Sequence, residues 1–528
     1  MNLIEDPWIP AIRADGRQCR IAPWQIAETD NPVVELAAPR ADFQGALYQF
    51  LIGLLQTATA PEDSEQWSDL YHEPPLADKL ASAFGAFAPA FELFSEVGKP
   101  AFLQDLTLQE GEAKGIAGLL IDAPGGKTVK DNLDFFIKSG QVEQLCPSCA
   151  AQALFTLQTN APSGGVGHRV GLRGGGPLTT LLKPAGASTL WQKLWLNVLD
   201  SSNGLQSANT VLSADIFSWL APTRVSDKTG QATFPEEVAP LQMYWGMPRR
   251  IRLEKQPGFC QCSLCGGETE SSVSHFITRN YGTNYDGAWL HPLTPYRIDP
   301  KKEQLPLSLK GQKGGLNYRH WLGLVLRDDE NGDQAAKVVR DFQATKSALL
   351  DAAQPLQLWC FGYDMDNMKA RCWYEHTLPV MQLGASQAEL VQQWAQVLVN
   401  CARESAQLLR QHIKQAWYRR PKDVGGDITF IDAAFYQATT GDFYKALAAL
   451  ARHSQNDTSP PQALYEGWFH TLKRALETQF DQSALNATPE AMDLKRVMAA
   501  RAALFKNFHS SKQIKQIKPA KRPLKETA

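Results

Sequence analysis

The chain has 528 residues, which at about 150 residues per domain gives roughly two to four structural units. With 44% hydrophobic and 20% charged residues it has material for a buried core and is neither disordered nor a coiled coil. Lys and Arg total 53 against 55 Asp and Glu, so there is no global basic excess, and any nucleic-acid surface has to be local.

Neither a membrane span nor a signal peptide is evident, and the start Met1-Asn2-Leu3-Ile4-Glu5-Asp6 fits a cytoplasmic protein. Residues 1–40 read as short strands broken by Pro7, Pro10, Pro23, Pro32 and Pro39. From Asp42 to Ala60, Phe43, Leu47, Phe50, Leu51 and Leu54 recur at helical spacing before Pro61. A second helix is expected over 77–96. From about 100 to 375 periodicity fades into strands, short helices and long loops, and segments 121–137, 161–177 and 276–292 stand out. Beyond Leu383 long amphipathic helices return. Ser386 with Glu389 reads as a capping box for a helix lasting until Pro421. Helical patterns follow at 431–452 and 462–482, and Thr488 before Pro489 opens a last helix to about Phe508. The expectation is an α+β fold: a large irregular mixed N-terminal domain (1–380), a C-terminal four-helix bundle (381–510) and a basic, mobile tail (511–528).

Nine cysteines are too few and too scattered for a disulfide framework, but Cys146-Pro-Ser-Cys149 and Cys262-Ser-Leu-Cys265 are two CxxC knuckles. Two thiolates at that spacing can span an edge of a zinc tetrahedron, so a structural Zn(2+) site on Cys146, Cys149, Cys262 and Cys265 is expected, with Cys260 as an alternative ligand. A redox CxxC or unrelated thiols are the rival readings. Cys262 lies 113 positions after Cys149, so the metal would clip a very long loop. Cys19, Cys360, Cys372 and Cys401 read as core or incidental.

Ser163-Gly164-Gly165-Val166-Gly167-His168-Arg169 through Arg173-Gly-Gly-Gly-Pro177 fails the GxGxxG spacing. It remains a glycine loop whose backbone can approach a polyanion, with His168, Arg169 and Arg173 for phosphate; the bland reading is a flexible linker. Pro124 to Thr128 mimics the end of a Walker A loop but lacks its first glycine, leaving a basic loop with Lys127, Lys130, Phe135 and Phe136 that could meet nucleic acid by charge and stacking. Asp364 and Asp366 could hold a divalent metal if extended, although a polar turn after an apolar strand explains them equally. No catalytic constellation stands out.

Together these residues resemble the CasA family, the large subunit of the type I-E CRISPR surveillance complex Cascade. The resemblance is carried by Asn2-Leu3-Ile4 through Pro7-Trp8-Ile9-Pro10, the paired knuckles, and Gly171-Leu172-Arg173-Gly174-Gly175 with Thr179-Thr180. Trp289-Leu290-His291-Pro292, Gly362 to Trp373 and the terminal helices complete it in order along the chain. The resemblance implies a non-catalytic protein that reads the short PAM in double-stranded DNA and starts strand separation. It implies assembly with CRISPR RNA and the backbone, small and handle-binding subunits, and recruitment of a trans-acting helicase-nuclease.

By residue, the resemblance gives Ser163, Gly164, Gly165, Val166 and Gly167 as the loop that approaches the PAM from the minor groove, with Val166 departing from the family's glycine. It gives Arg279 or Asn280 as a minor-groove finger, and Asn367 or Met368 as the wedge beside the PAM. It also places Lys127, Lys130 and Phe135 in the loop at the CRISPR RNA handle. Arg403, Arg410, Lys414, Arg419 and Arg420 on the bundle offer phosphate contacts or simply a solvated face. Two rivals remain: a zinc- or nucleotide-dependent hydrolase acting on nucleic acid through Lys127, Asp364 or Asp366, and a zinc-stabilised interaction protein that binds no nucleic acid.

Overall fold

The computed structural model describes all residues except 133–136, 209, 228–229, 352–353, 367–368, 424, 487–492 and 520–528, and leaves out the side chains of 126, 127 and 385. The described residues form two compact units, 1–312 with 335–380, and 313–334 with 381–528. Residues 313–334, which the sequence reading put with the N-terminal domain, thus group with the bundle. Among the described residues no helix is long and apolar enough to cross a membrane.

The first unit is built around the helix Ala41–Thr59, whose Phe43, Leu47, Phe50, Leu51 and Leu54 are all at most 1% exposed. Phe50 sits edge-on to Trp8, Phe102, Phe155 and Trp245 at ring separations of 5.3 to 5.8 Å, a geometry favoured by the aromatic quadrupole. The N-terminal strands Ile9–Arg13, Gln18–Ile21 and Val33–Leu36 form one antiparallel sheet with Ile9–Arg13 in the middle. The helix expected over 77–96 is shorter: it ends at Gly85, and a 3-10 turn containing Pro89 follows at Ala88–Ala90. Phe84, Phe87 and Phe91 all enter the core; the helix stops before Pro89, which in a helix interior would remove a backbone hydrogen bond and clash with the preceding turn.

Two hairpins carry the segments of functional interest. Strands Arg250–Gln261 and Glu268–Arg279 pair antiparallel, with Glu112–Gly115 on the outer edge of the second strand. Strands Leu356–Asp366 and Lys369–Val380 form the other, with Thr179–Pro184 on its far side. The helix Pro147–Asn160 starts at the first cysteine knuckle and leads directly into the glycine loop.

In the second unit the helix Ala385–Trp417 packs on Thr429–Ser454, Gln462–Ala484 and Leu494–Ser510. Tyr318 joins this core, stacking on Phe443 at 4.3 Å and sharing a 2.8 Å hydrogen bond with Thr439, while Trp468 Nε1 donates to the Leu398 carbonyl at 3.0 Å. The cap of the first long helix is not the expected Ser386 box. It falls earlier, at Gly384, whose amide donates to Gln387 Oε1 at 3.1 Å. The last helix begins at Leu494 with Asp493 accepting from the Arg496 amide at 3.0 Å; Thr488 and Pro489 lie outside the described residues. The tail is partly folded, with a turn of helix at Lys512–Lys515 burying Ile514 and Ile517, whereas Lys521, Arg522 and Lys525 lie outside the described residues.

Candidate metal centre and nucleic-acid interface

The two knuckles converge. The sulfur atoms of Cys146, Cys149, Cys262 and Cys265 lie within 4.8 Å of one another, with the Cys146 and Cys265 sulfurs 3.8 Å apart. Cys146 caps the helix Pro147–Asn160 and its Sγ accepts the Cys149 amide at 3.4 Å. Cys262 and Cys265 form the turn of the first hairpin, where Gly266 at φ +70° lets the chain close back so that its amide donates to the Cys262 carbonyl at 3.0 Å. A bridge between Leu145 and Val273 and a 2.9 Å bond from the Ser263 amide to the Gln144 carbonyl dock one knuckle on the other. Hydrogen bonds from Cys146 and Cys149 push the Cys262 thiol far down, and the same bonds with burial push Cys149 up. The four sulfur atoms thus form a cluster that could hold a metal ion. Cys260 pairs with Thr269 in the strand and is not part of the cluster.

The glycine loop and the end of the same hairpin also meet. Ser163 to Val166 are exposed, Val166 to 79%, so an apolar side chain stands at the loop's tip. Asn280 Nδ2 donates to the Val166 carbonyl at 2.9 Å and the Tyr281 amide donates to the Gly167 carbonyl at 2.8 Å. Gly165 and Gly167 have φ of +102° and +76°, and a Cβ on Gly167 would lie 2.8 Å from Asn280 Cβ. Arg279 is exposed beside this junction, with no acidic partner among the described residues. The structure therefore brings Ser163–Gly167, Arg279 and Asn280 to one surface.

Beneath the loop lies Arg249, a residue the sequence reading missed. Its Nη2 donates to the Pro162 carbonyl and its Nη1 to His168 Nδ1 at 2.6 Å, clamping both ends of the loop. Burial and the neighbouring Arg249 and Lys114 charges lower the pKa of His168, and burial takes Arg249 to about 10. Nothing in the local pattern Met247-Pro-Arg-Arg250 distinguishes this arginine; its partners lie more than 80 positions away. Arg169 is tied to Ser226 through Nε at 2.7 Å.

Arg173 does not join this surface. It is 5% exposed and bonds inward to Gln49, Thr179 and Thr294, so the expectation of a phosphate contact gives way to an interior position. Lys130 is exposed on the short helix Gly126–Lys130, which also carries Lys127; Phe135 lies outside the described residues. Asn367 and Met368, which follow the first strand of the second hairpin in sequence, lie outside them as well. Their flanks are described: Arg371 forks onto Asp364 at 2.7 and 3.1 Å and reaches Asp366 at 3.4 Å. The two acids are thus joined by an arginine, which disfavours a divalent cation there. On the bundle, Arg403 pairs with Asp328 and Arg410 with Asp432, whereas Arg419 and Arg420 are exposed.

Comparison with known proteins matches residues 2–478 to the model of the family described as CRISPR-associated protein Cse1. Among solved structures, CasA of Thermus thermophilus superposes with a TM-score of 0.69 at 18% identity, covering 98% of this chain and 99% of that one. Cse1 of Thermobifida fusca gives 0.70 at 16% identity, with the same coverage of each chain. A chain of a CRISPR RNA-guided surveillance complex gives 0.66 at 15% identity over 96% of this chain and 99% of that one. With its cysteine clip, glycine loop and terminal helices in the order the resemblance required, this chain belongs to the CRISPR-associated Cse1 (CasA) family.

Proposed function

We propose that this chain is the non-catalytic large subunit of a CRISPR RNA-guided surveillance complex, reading the PAM in double-stranded DNA and starting its strand separation. The observation that carries this reading is the fastening of the 163–167 loop to Asn280 and Tyr281, which presents the backbone of Gly164 and Gly165, the Val166 side chain and Arg279 on one exposed surface. A minor groove about 6 Å wide admits glycine backbone where side chains do not fit, and a cation beside it meets phosphate. Asn280 is bonded to Val166, so Arg279 is the better candidate for the minor-groove finger. Asn367 or Met368 serves as the wedge, and Arg371 ties Asp364 and Asp366 together in the strands that flank these two residues. Binding energy then offsets the unstacking of the first base steps, about a few kcal/mol each, and guide RNA pairing continues the opening.

The segment of Lys127, Lys130 and Phe135 serves the CRISPR RNA handle, and the helical unit meets neighbouring subunits and the helicase-nuclease. Zinc is the metal that suits the cysteine cluster: a tetrahedron with Zn–S of about 2.3 Å has edges of about 3.8 Å, the separation of the Cys146 and Cys265 sulfurs. Four thiolates leave no open position, so the ion holds the hairpin to the helix and supports no chemistry. The test is reconstitution: the chain should join a complex containing CRISPR RNA and confer PAM-dependent duplex binding. A chain that stays free of such complexes, or one that hydrolyses DNA or ATP and loses that activity in Asp364→Ala or Lys127→Ala, would refute the reading.

A further inference from the structure

Under the turn that carries the glycine loop back to strand Thr179–Pro184 lies a cavity of about 20 Å³, lined by Gln49, Arg173, Tyr244 and His291 among others. That is room for one species about the size of a water. Arg173 beside it is buried, and three of its five N–H groups are spent on neutral oxygens: Nη1 on Thr179 Oγ1 at 3.1 Å and Thr294 Oγ1 at 2.9 Å, and Nη2 on Gln49 Oε1 at 2.7 Å. No carboxylate pairs with it among the described residues. Lys310 adds a second cation, its Nζ donating to the Arg173 carbonyl and to Ser308 Oγ, both at 2.7 Å. Burial alone takes Arg173 down to about 10, and burial with the Arg173 charge takes Lys310 down to about 8.

The neutral groups facing this charge are donors too. The buried Tyr244 hydroxyl has no hydrogen-bond partner among the described residues. His291 Nδ1 accepts the Leu293 amide at 3.1 Å, so the neutral ring carries its proton on Nε2. Arg173 without a counter-charge, Lys310 bonded behind it outside the lining, and unspent donors around a small void form a site for negative charge, since an interior charge is retained only where something opposite or strongly polar meets it. A water would fill the space without compensating the charge, and room for one small species favours a monatomic ion over a polyatomic oxyanion.

We propose that this cavity binds a single monatomic anion, a halide, between the Arg173 guanidinium, the Tyr244 hydroxyl and His291 Nε2–H. The inference does not depend on the proposed function. The bound ion would brace the Gly171–Gly176 turn from inside and so steady the root of the glycine loop.

Crystals of the full chain soaked in sodium bromide test it by anomalous diffraction. The expected result is one peak in this cavity, weakened in Tyr244→Phe, a change that keeps the ring and its packing. In solution, thermal unfolding in sodium chloride against sodium glutamate at equal ionic strength should show chloride-specific stabilisation of about 2 °C per tenfold chloride above saturation onset. Tyr244→Phe and Arg173→Gln should diminish it. Bromide scattering confined to the surface, or a chloride-specific shift that both variants leave unchanged, would overturn the proposal.

Discussion

Gly167→Ala is the smallest change that separates the loop's shape from the rest of the fold. At φ +76° a side chain costs about 1–2 kcal/mol by crowding the following carbonyl. The added Cβ would also sit 2.8 Å from Asn280 Cβ and 3.1 Å from the Tyr281 ring, so these neighbours have to give. Moving them releases the Asn280 bond to Val166 and the Tyr281 bond to Gly167, each worth about 1 kcal/mol net. The loop is exposed, so it relieves the strain by opening locally and leaves the core intact. Restoring its shape on DNA then costs about 3–4 kcal/mol, which is roughly a 150- to 700-fold loss of target affinity. Mobility shift of the reconstituted complex on a PAM-bearing duplex measures this, with Gly186→Ala, a glycine whose added Cβ meets nothing within 4 Å, as the neutral control. Assembly with CRISPR RNA should be unaffected. Affinity within twofold of the parent for Gly167→Ala would refute the reasoning.

Elemental analysis should find about one zinc per chain, and its removal should loosen a clip across 113 positions, costing about 4–5 kcal/mol by loop-closure entropy; an unfolding temperature indifferent to chelator would contradict this. Burial, with the Arg173 charge, holds His291 neutral well below its ordinary range, so the unfolded chain binds a proton that the folded chain refuses. Stability should therefore fall as pH drops below about 6.5, by up to about 1.4 kcal/mol per unit from this group, and His291→Gln should flatten that part of the profile in urea unfolding at stepped pH. Arg371→Ala leaves the buried Asp364 carboxylate unpaired near the turn end of the second hairpin. It should cost about 1–3 kcal/mol and faster amide exchange in strands Leu356–Asp366 and Lys369–Val380, with no metal-dependent cleavage activity appearing.

What was legible in the sequence was what repeats or clusters locally. The helix of Phe43, Leu47, Phe50 and Leu54 declares itself by spacing, and the two CxxC pairs declare a shared site because cysteine pairs at that spacing have few other uses. What was not legible depends on distant partners. Arg173 stands in a glycine-rich run that looks made for phosphate, yet Gln49 and Thr294, more than 120 positions away on either side, draw it inward. Arg249 has no local signature and still holds the loop, because Pro162 and His168 are neighbours only in space. The capping error at Ser386 is local. Gln387 reaches back to the Gly384 amide just ahead of the expected box, and a glycine cap leaves no side-chain mark in the sequence.

The central claim is that this chain couples PAM reading to the first opening of the duplex. It is tested most directly by placing 2-aminopurine in the base pair next to the PAM and following its fluorescence as the reconstituted complex binds. The account predicts a rise that requires the PAM, requires this chain in the complex and is lost with Gly167→Ala. A rise of equal size on a duplex with the PAM scrambled, or with a complex lacking this chain, would contradict it.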